Sequence, residues 1–163
     1  MKSAYLLAAL TLAVSAMVSS ASAQGWTFGL GTDGAYSSDT QEAISLEGIW
    51  TAAPRGELLG VDYGFGAGFE TDTDGDIWAG AGLYAQRDFN AVRLSVSVMP
   101  GLYEAGSRDT ELGGTVEIRS RLGISVAAGP GRIGLSYAHI SNGGLYDENP
   151  GKNAAYLTYG WNY

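Results

Sequence analysis

The chain has no cysteine, so no disulfide can hold it together, and the small stapled scaffolds of oxidising compartments are excluded. Charge is scarce as well. Charged residues make up 16% of the chain and the formal net charge is -8, which argues against a nucleic-acid or other polyanionic partner. Past residue 23 no apolar run approaches the roughly 18 residues that a membrane-crossing helix requires. That absence leaves a bilayer open, because strands cross one in about 9–11 residues each. Histidine occurs once, at His139.

What is present begins with an export signature. Lys2 supplies a positive start, Leu6 to Val18 an apolar stretch, and Ala21-Ser22-Ala23 the small-x-small pattern that a signal peptidase reads, so residues 1–23 are expected to be cleaved as a signal peptide. Residues 24–163 then form one domain of ordinary size.

Alternation with a period of two runs through this domain, and within each segment the apolar members share one parity. Eight such sets follow one another. They are Trp26, Phe28 and Leu30; Ile44, Leu46 and Trp50; Val61 to Phe69 at odd numbers; Ile77 to Ala85 at odd numbers; Val92 to Val98 at even numbers; Val116 to Val126 at even numbers apart from Ser120; Ile133, Leu135 and Tyr137; and Ala155 to Tyr163 at odd numbers. The opposite parity is rich in glycine with a few charges, among them Asp62, Glu117, Arg119 and Arg121. Connections alternate too: "TAAPRG", "RDFN" and "AGPG" read as tight turns, "YSSDT", "TDTDGD", "YEAGSRDTEL" and "NGGLYDENPGK" as polar loops. The fold these patterns predict is all-β, an eight-stranded antiparallel up-and-down transmembrane β-barrel with both termini on the side of the tight turns. A soluble lipocalin-like barrel is the competing fold, with its apolar face turned inward. Bulky aromatics on one parity, glycine on the other, and the run Leu157, Tyr159, Trp161, Tyr163 favour the membrane barrel and integral placement in an outer membrane.

In "HISNGG" the parity places His139 and Ser141 on the apolar, outward face, two residues apart at the end of the seventh strand. The cost of polar groups facing lipid is least there, near the interface. A serine hydroxyl becomes a nucleophile when a neighbouring base takes its proton, and a neutral imidazole is the usual base near pH 7. Asn142 and the two glycines after it can offer an amide and backbone N–H groups to an oxyanion. A lone histidine at a strand end is, on spacing alone, more often an interfacial or loop-anchoring residue.

"HISNGGLYDENPG", together with "PGLY", "ELGGTVEIRSRLGIS" and "GRIGLSYAHISN" upstream, resembles the PagL-type lipid A 3-O-deacylases, outer-membrane serine esterases built on eight-stranded barrels. The likeness covers roughly Pro100 to Tyr163. It implies His139 as base, Ser141 as nucleophile, and Asn142 and Gly144 as the oxyanion hole. The substrate it implies is lipid A, which explains catalytic groups that face lipid. The family's glutamate, two residues after the glycine of an N-x-G element, corresponds to Asn153, because N-P-G is Asn149-Pro150-Gly151 here. An asparagine can fix the imidazole's tautomer but cannot offset its positive charge. Asp147 or Glu148 could swing in from the loop as a substitute acid, against the simpler reading of both as solvated.

The acidic stretch "ETDTDGD" begins like a calcium loop with Glu70, Asp72, Asp74 and Gly75, yet Ala81 stands where a closing glutamate would be. It reads as a solvated loop, and neither a metal nor a cofactor is expected. Arg119 and Arg121 point inward, where Glu117 or Asp62 would pair them. Three functions stay open: removal of the 3-linked acyl chain of lipid A in lipopolysaccharide, a non-catalytic small outer-membrane barrel that Asn153 favours, and a soluble ligand-binding barrel. Association as a homodimer is also left open.

Overall fold

The structure is a computed structural model that describes residues 24–34 and 42–162. The expected signal peptide, the "YSSDT" loop and Tyr163 lie outside the described residues. The described residues form nine strands: β1 (Gly25–Asp33), β2 (Ile44–Thr51), β3 (Gly56–Leu58), β4 (Val61–Asp72), β5 (Ile77–Phe89), β6 (Val92–Glu104), β7 (Val116–Ala128), β8 (Gly131–Ser141) and β9 (Lys152–Asn162). Eight of them close a barrel. Each pairs antiparallel with the next, β2 pairs directly with β4, and β9 returns to pair with β1. Closure satisfies every strand edge within the ladder, as a bilayer demands. The ninth, β3, is a three-residue flap on the lower end of β4, so "TAAPRG" opens a longer connection than the tight turn expected of it. The other two turns at that end are tight, with Phe89 opposite Val92 and Ala128 opposite Gly131.

Parity decides which side chain faces where. Leu30, Leu83, Leu122, Leu135 and Leu157 are all exposed, although burial of such groups is what drives folding in water. A closed wall that turns its leucines outward is suited to lipid. Near the tight-turn end, Trp26, Phe28 and Trp161 stack with ring centroids 5.5 and 5.8 Å apart, and Tyr159 adjoins Trp161 at 6.1 Å. Such a cluster fits an aromatic girdle at a membrane interface.

The interior is not only glycine and charge. Trp78, Met99, Ile140, Tyr103 and Tyr156 are buried inside it, and the glycines make room for them. A Cβ on Gly80 or Gly101 would stand 2.5 or 2.7 Å from the Trp78 ring, so large and small residues interdigitate. The two buried arginines find partners other than those expected. Arg119 bonds Glu70 at 2.8 Å and Glu47 at 2.5 Å, and Arg121 bonds Glu47 at 3.0 Å. Ser136 donates to Glu47 at 2.9 Å. Glu117 is fully buried and its carboxylate has no partner among the described residues. The pairing follows from closure: Glu47 and Glu70 lie on β2 and β4, whose inner faces look across the barrel at β7. Strand order, not sequence proximity, sets such contacts.

A closed, outward-apolar barrel should fractionate with the outer membrane and run faster on a gel when unheated than when boiled. Recovery in a soluble extract with no heat shift would overturn the membrane assignment.

Candidate active site

At the loop end of the barrel, three strands bring the polar outward groups together. The register aligns Ser120 of β7 with His139 of β8, and His139 with Asn153 of β9. Directly opposed residues on one sheet face have Cβ atoms about 4.5–5.5 Å apart, and the side chains here meet. The His139 Nδ1 lies 2.8 Å from the Asn153 Oδ1. With that amide oxygen accepting, Nδ1 carries the proton and Nε2 presents its lone pair. Ser141, two residues further along β8, shares the outward face with its hydroxyl unbonded among the described residues. A strand side chain two residues on lies about 6.6 Å away along the wall, so the serine and the imidazole border one open patch.

Gly151 forms the floor beside the ring. Its φ is +68°, a conformation costing a side-chain-bearing residue about 1–2 kcal/mol, and a Cβ there would stand 2.9 Å from the His139 Cε1 and 3.5 Å from Nε2. Gly151→Ala is therefore expected to push the ring off its Asn153 contact and slow turnover several-fold while the heat-modifiable barrel persists. An unchanged rate would show that the ring's seat does not matter.

Asn142 turns the other way. It is fully buried and its amide is committed: Nδ2 donates to the Leu112 carbonyl at 3.0 Å and to the Glu148 carbonyl at 2.7 Å, while Oδ1 accepts from the Gly144 N–H at 2.9 Å. Its own N–H donates to Asn149 Oδ1 at 3.0 Å. This side chain staples the β6–β7 loop to the β8–β9 loop, and its hydrogens are spent on carbonyls rather than aimed at Ser141. The N–H of Gly143 has no acceptor among the described residues. Asp147 and Glu148 are exposed, and neither carboxylate bonds His139; Glu148 takes part through its main chain alone.

Lys152, next to Asn153, points inward and its ammonium bonds Asp33, Asp72 and Asp76, the last at 2.8 Å. Asp76 also accepts from Tyr103 at 2.7 Å and from Thr110 at 2.6 Å. The acidic stretch expected to be solvated is thus largely engaged: Glu70 holds Arg119, Asp72 and Asp76 hold Lys152, and of its carboxylates Asp74 alone is exposed. The three carboxylates are close enough together to resemble a cation site, but the lysine already lies among them. This cage anchors the first residue of β9 and so the strand that carries Asn153. Gly151, Asn149 and Lys152 went unassigned from sequence. N-P-G marked the first two as a motif, whereas the partners of Lys152 are 76 to 119 positions away and left no local trace.

A family model described as "Lipid A 3-O-deacylase (PagL)" matches residues 25–162. The chain belongs to the lipid A 3-O-deacylase family. It is 26% identical over 128 residues to the lipid A deacylase PagL of Bordetella bronchiseptica, across 76% of this chain and 71% of that protein. Its fold is similar to the crystal structure of the outer-membrane enzyme PagL, with a TM-score of 0.62 at 14% identity over 84% of this chain and 98% of the other. It also resembles Neisserial surface protein A, with a TM-score of 0.51 at 12% identity over 85% and 93% of the two chains. Membership of the lipid A 3-O-deacylase family makes the protein an outer-membrane hydrolase acting on lipid A.

Proposed function

We propose that this member of the lipid A 3-O-deacylase family works as a serine esterase, with Ser141 as nucleophile and His139 as base. Nε2 of His139 takes the Ser141 proton as Oγ attacks the carbonyl of the acyl chain at the 3-position of lipid A. The tetrahedral oxyanion then collapses, the imidazolium protonates the departing sugar oxygen, and the acyl chain stays on Ser141. Water, deprotonated by the same Nε2, releases it as a fatty acid. Asn153 orients the ring and holds its tautomer. The N–H groups of Gly143 and Gly144 are the oxyanion donors, with Gly144 exchanging Asn142 Oδ1 for the substrate oxygen, and Asn142 keeps the two loops in place. No metal or cofactor takes part in these steps.

The observation that carries this reading is the 2.8 Å bond from His139 to Asn153, on a face otherwise given to lipid, with Nε2 unbonded among the described residues and Ser141 two residues along the same strand face. Incubating the detergent-solubilised protein with lipid A and weighing the lipid by mass spectrometry tests it. Loss of one ester-linked acyl chain is expected. An unchanged mass would leave the protein as a non-catalytic barrel, the reading that an asparagine in place of a carboxylate favours.

A further inference from the structure

Ser120 breaks the outward pattern of β7. Its neighbours in that row, Ile118, Leu122, Ile124 and Val126, are apolar, and Ser120 is exposed among them with its hydroxyl unbonded among the described residues. It is also the furthest of its kind from a strand end. Among the described strands, every other non-aromatic polar side chain on the outward face stands within two residues of a strand end, as Thr71, Arg87 and His139 do, whereas Ser120 is four residues inside β7. An unpaired hydroxyl in an apolar medium costs roughly 0.5–3 kcal/mol. The register puts it level with the base: Ser120 is directly opposite His139 on one side and opposite Val98 on the other. Its Cβ is thus about 5 Å from that of His139 and about 7–8 Å from that of Ser141, the diagonal neighbour.

We propose that Ser120 is a substrate-binding residue, its hydroxyl donating a hydrogen bond to an ester oxygen of the lipid whose acyl chain is cleaved. The ester oxygens are the polar atoms on which His139 and Ser141 act in this reading, so they are the partners that a hydroxyl level with the base meets. One wall residue below the nucleophile, on the strand beside it, Ser120 holds the acyl end of the substrate against β7 and β8 while His139 and Ser141 act on the carbonyl. This inference rests on the serine-esterase reading given above.

Steady-state deacylation of lipid A in detergent micelles separates the two. Ser120→Ala should raise KM about three- to tenfold, the worth of one neutral hydrogen bond, and leave kcat within about twofold, as loss of binding shared by ground and transition states does. Ser120→Thr, which keeps the hydroxyl, should restore KM, and all variants should retain the heat-modifiable barrel. If the wild type is active and Ser141→Ala is inert, yet Ser120→Ala matches the wild type in both constants, Ser120 has no role and the esterase reading stands. Equal impairment in Ser120→Thr and Ser120→Ala would make the position one of packing and overturn the hydrogen bond. Should Ser120→Ala be inert while Ser141→Ala is active, Ser120 is itself the nucleophile and both readings fall.

Discussion

Ser141→Ala and His139→Ala should each lower deacylation of lipid A by at least about a thousandfold while leaving the barrel folded. The size follows from the proposed division of labour, in which no acyl-enzyme forms without the serine and the hydroxyl keeps its proton at neutral pH without the imidazole. Combining the two should cost little more than either alone, because both act in a single step and their contributions do not add. Folding is spared because both side chains point away from the interior, where the Arg119 and Arg121 ion pairs and the Trp78 packing reside. The measurement is the single-turnover rate on lipid A, with heat modifiability as the folding control. Either single variant retaining more than a tenth of the wild-type rate would remove that residue from the chemistry.

The wall of this barrel was legible in sequence because its signal is local. Alternation of apolar residues with Gly, Ser or charged residues along β4, β6 and β7 fixes the outward parity without reference to any other strand, and two-residue turns such as Asn90-Ala91 fix the register between neighbours. His139 and Ser141 were legible for the same reason: two residues apart on one strand, they share a face whatever the rest of the chain does. The contact of His139 with Asn153 needed only that β8 and β9 be adjacent. The interior was not legible. Glu47 meets Arg119 from 72 positions away, and nothing local says which carboxylate a closed barrel will place opposite a given arginine; Glu117, two residues from Arg119 on the same inner face, looked nearer and has no partner among the described residues. Loop contacts escaped as well. Asn142 reads as a donor beside a nucleophile, and only the folded loops reveal that the carbonyls of Leu112 and Glu148 take its hydrogens. Likewise, the acidic stretch looks solvated until Lys152, 80 positions beyond Asp72, is brought to it.

The deepest consequence of the site lies in Asn153, where a neutral amide holds the imidazole. A carboxylate in this place does two things: it orients the ring, and it stabilises the imidazolium that forms as Ser141 attacks. The 2.8 Å bond provides the first and cannot provide the second. Asn153→Glu should therefore raise the turnover rate at least about tenfold, a modest share of the roughly 10⁴-fold that exchanging a carboxylate for an amide costs a related triad. The position tolerates the charge, since Asn153 is half-exposed at the loop end of β9, where a charge facing lipid costs only about 0–1 kcal/mol. Asn153→Ala should do the reverse, lowering the rate by freeing the ring to turn and adopt the wrong tautomer. Glu148→Gln and Asp147→Asn should change little, because both side chains are exposed and neither carboxylate reaches His139. These four rates form one test. A faster Asn153→Glu beside a slower Asn153→Ala establishes an esterase working with an uncharged third member; an inert Glu148→Gln or Asp147→Asn beside an unaltered Asn153→Glu means that the loop supplies the carboxylate during turnover and that the amide contact is not the working arrangement.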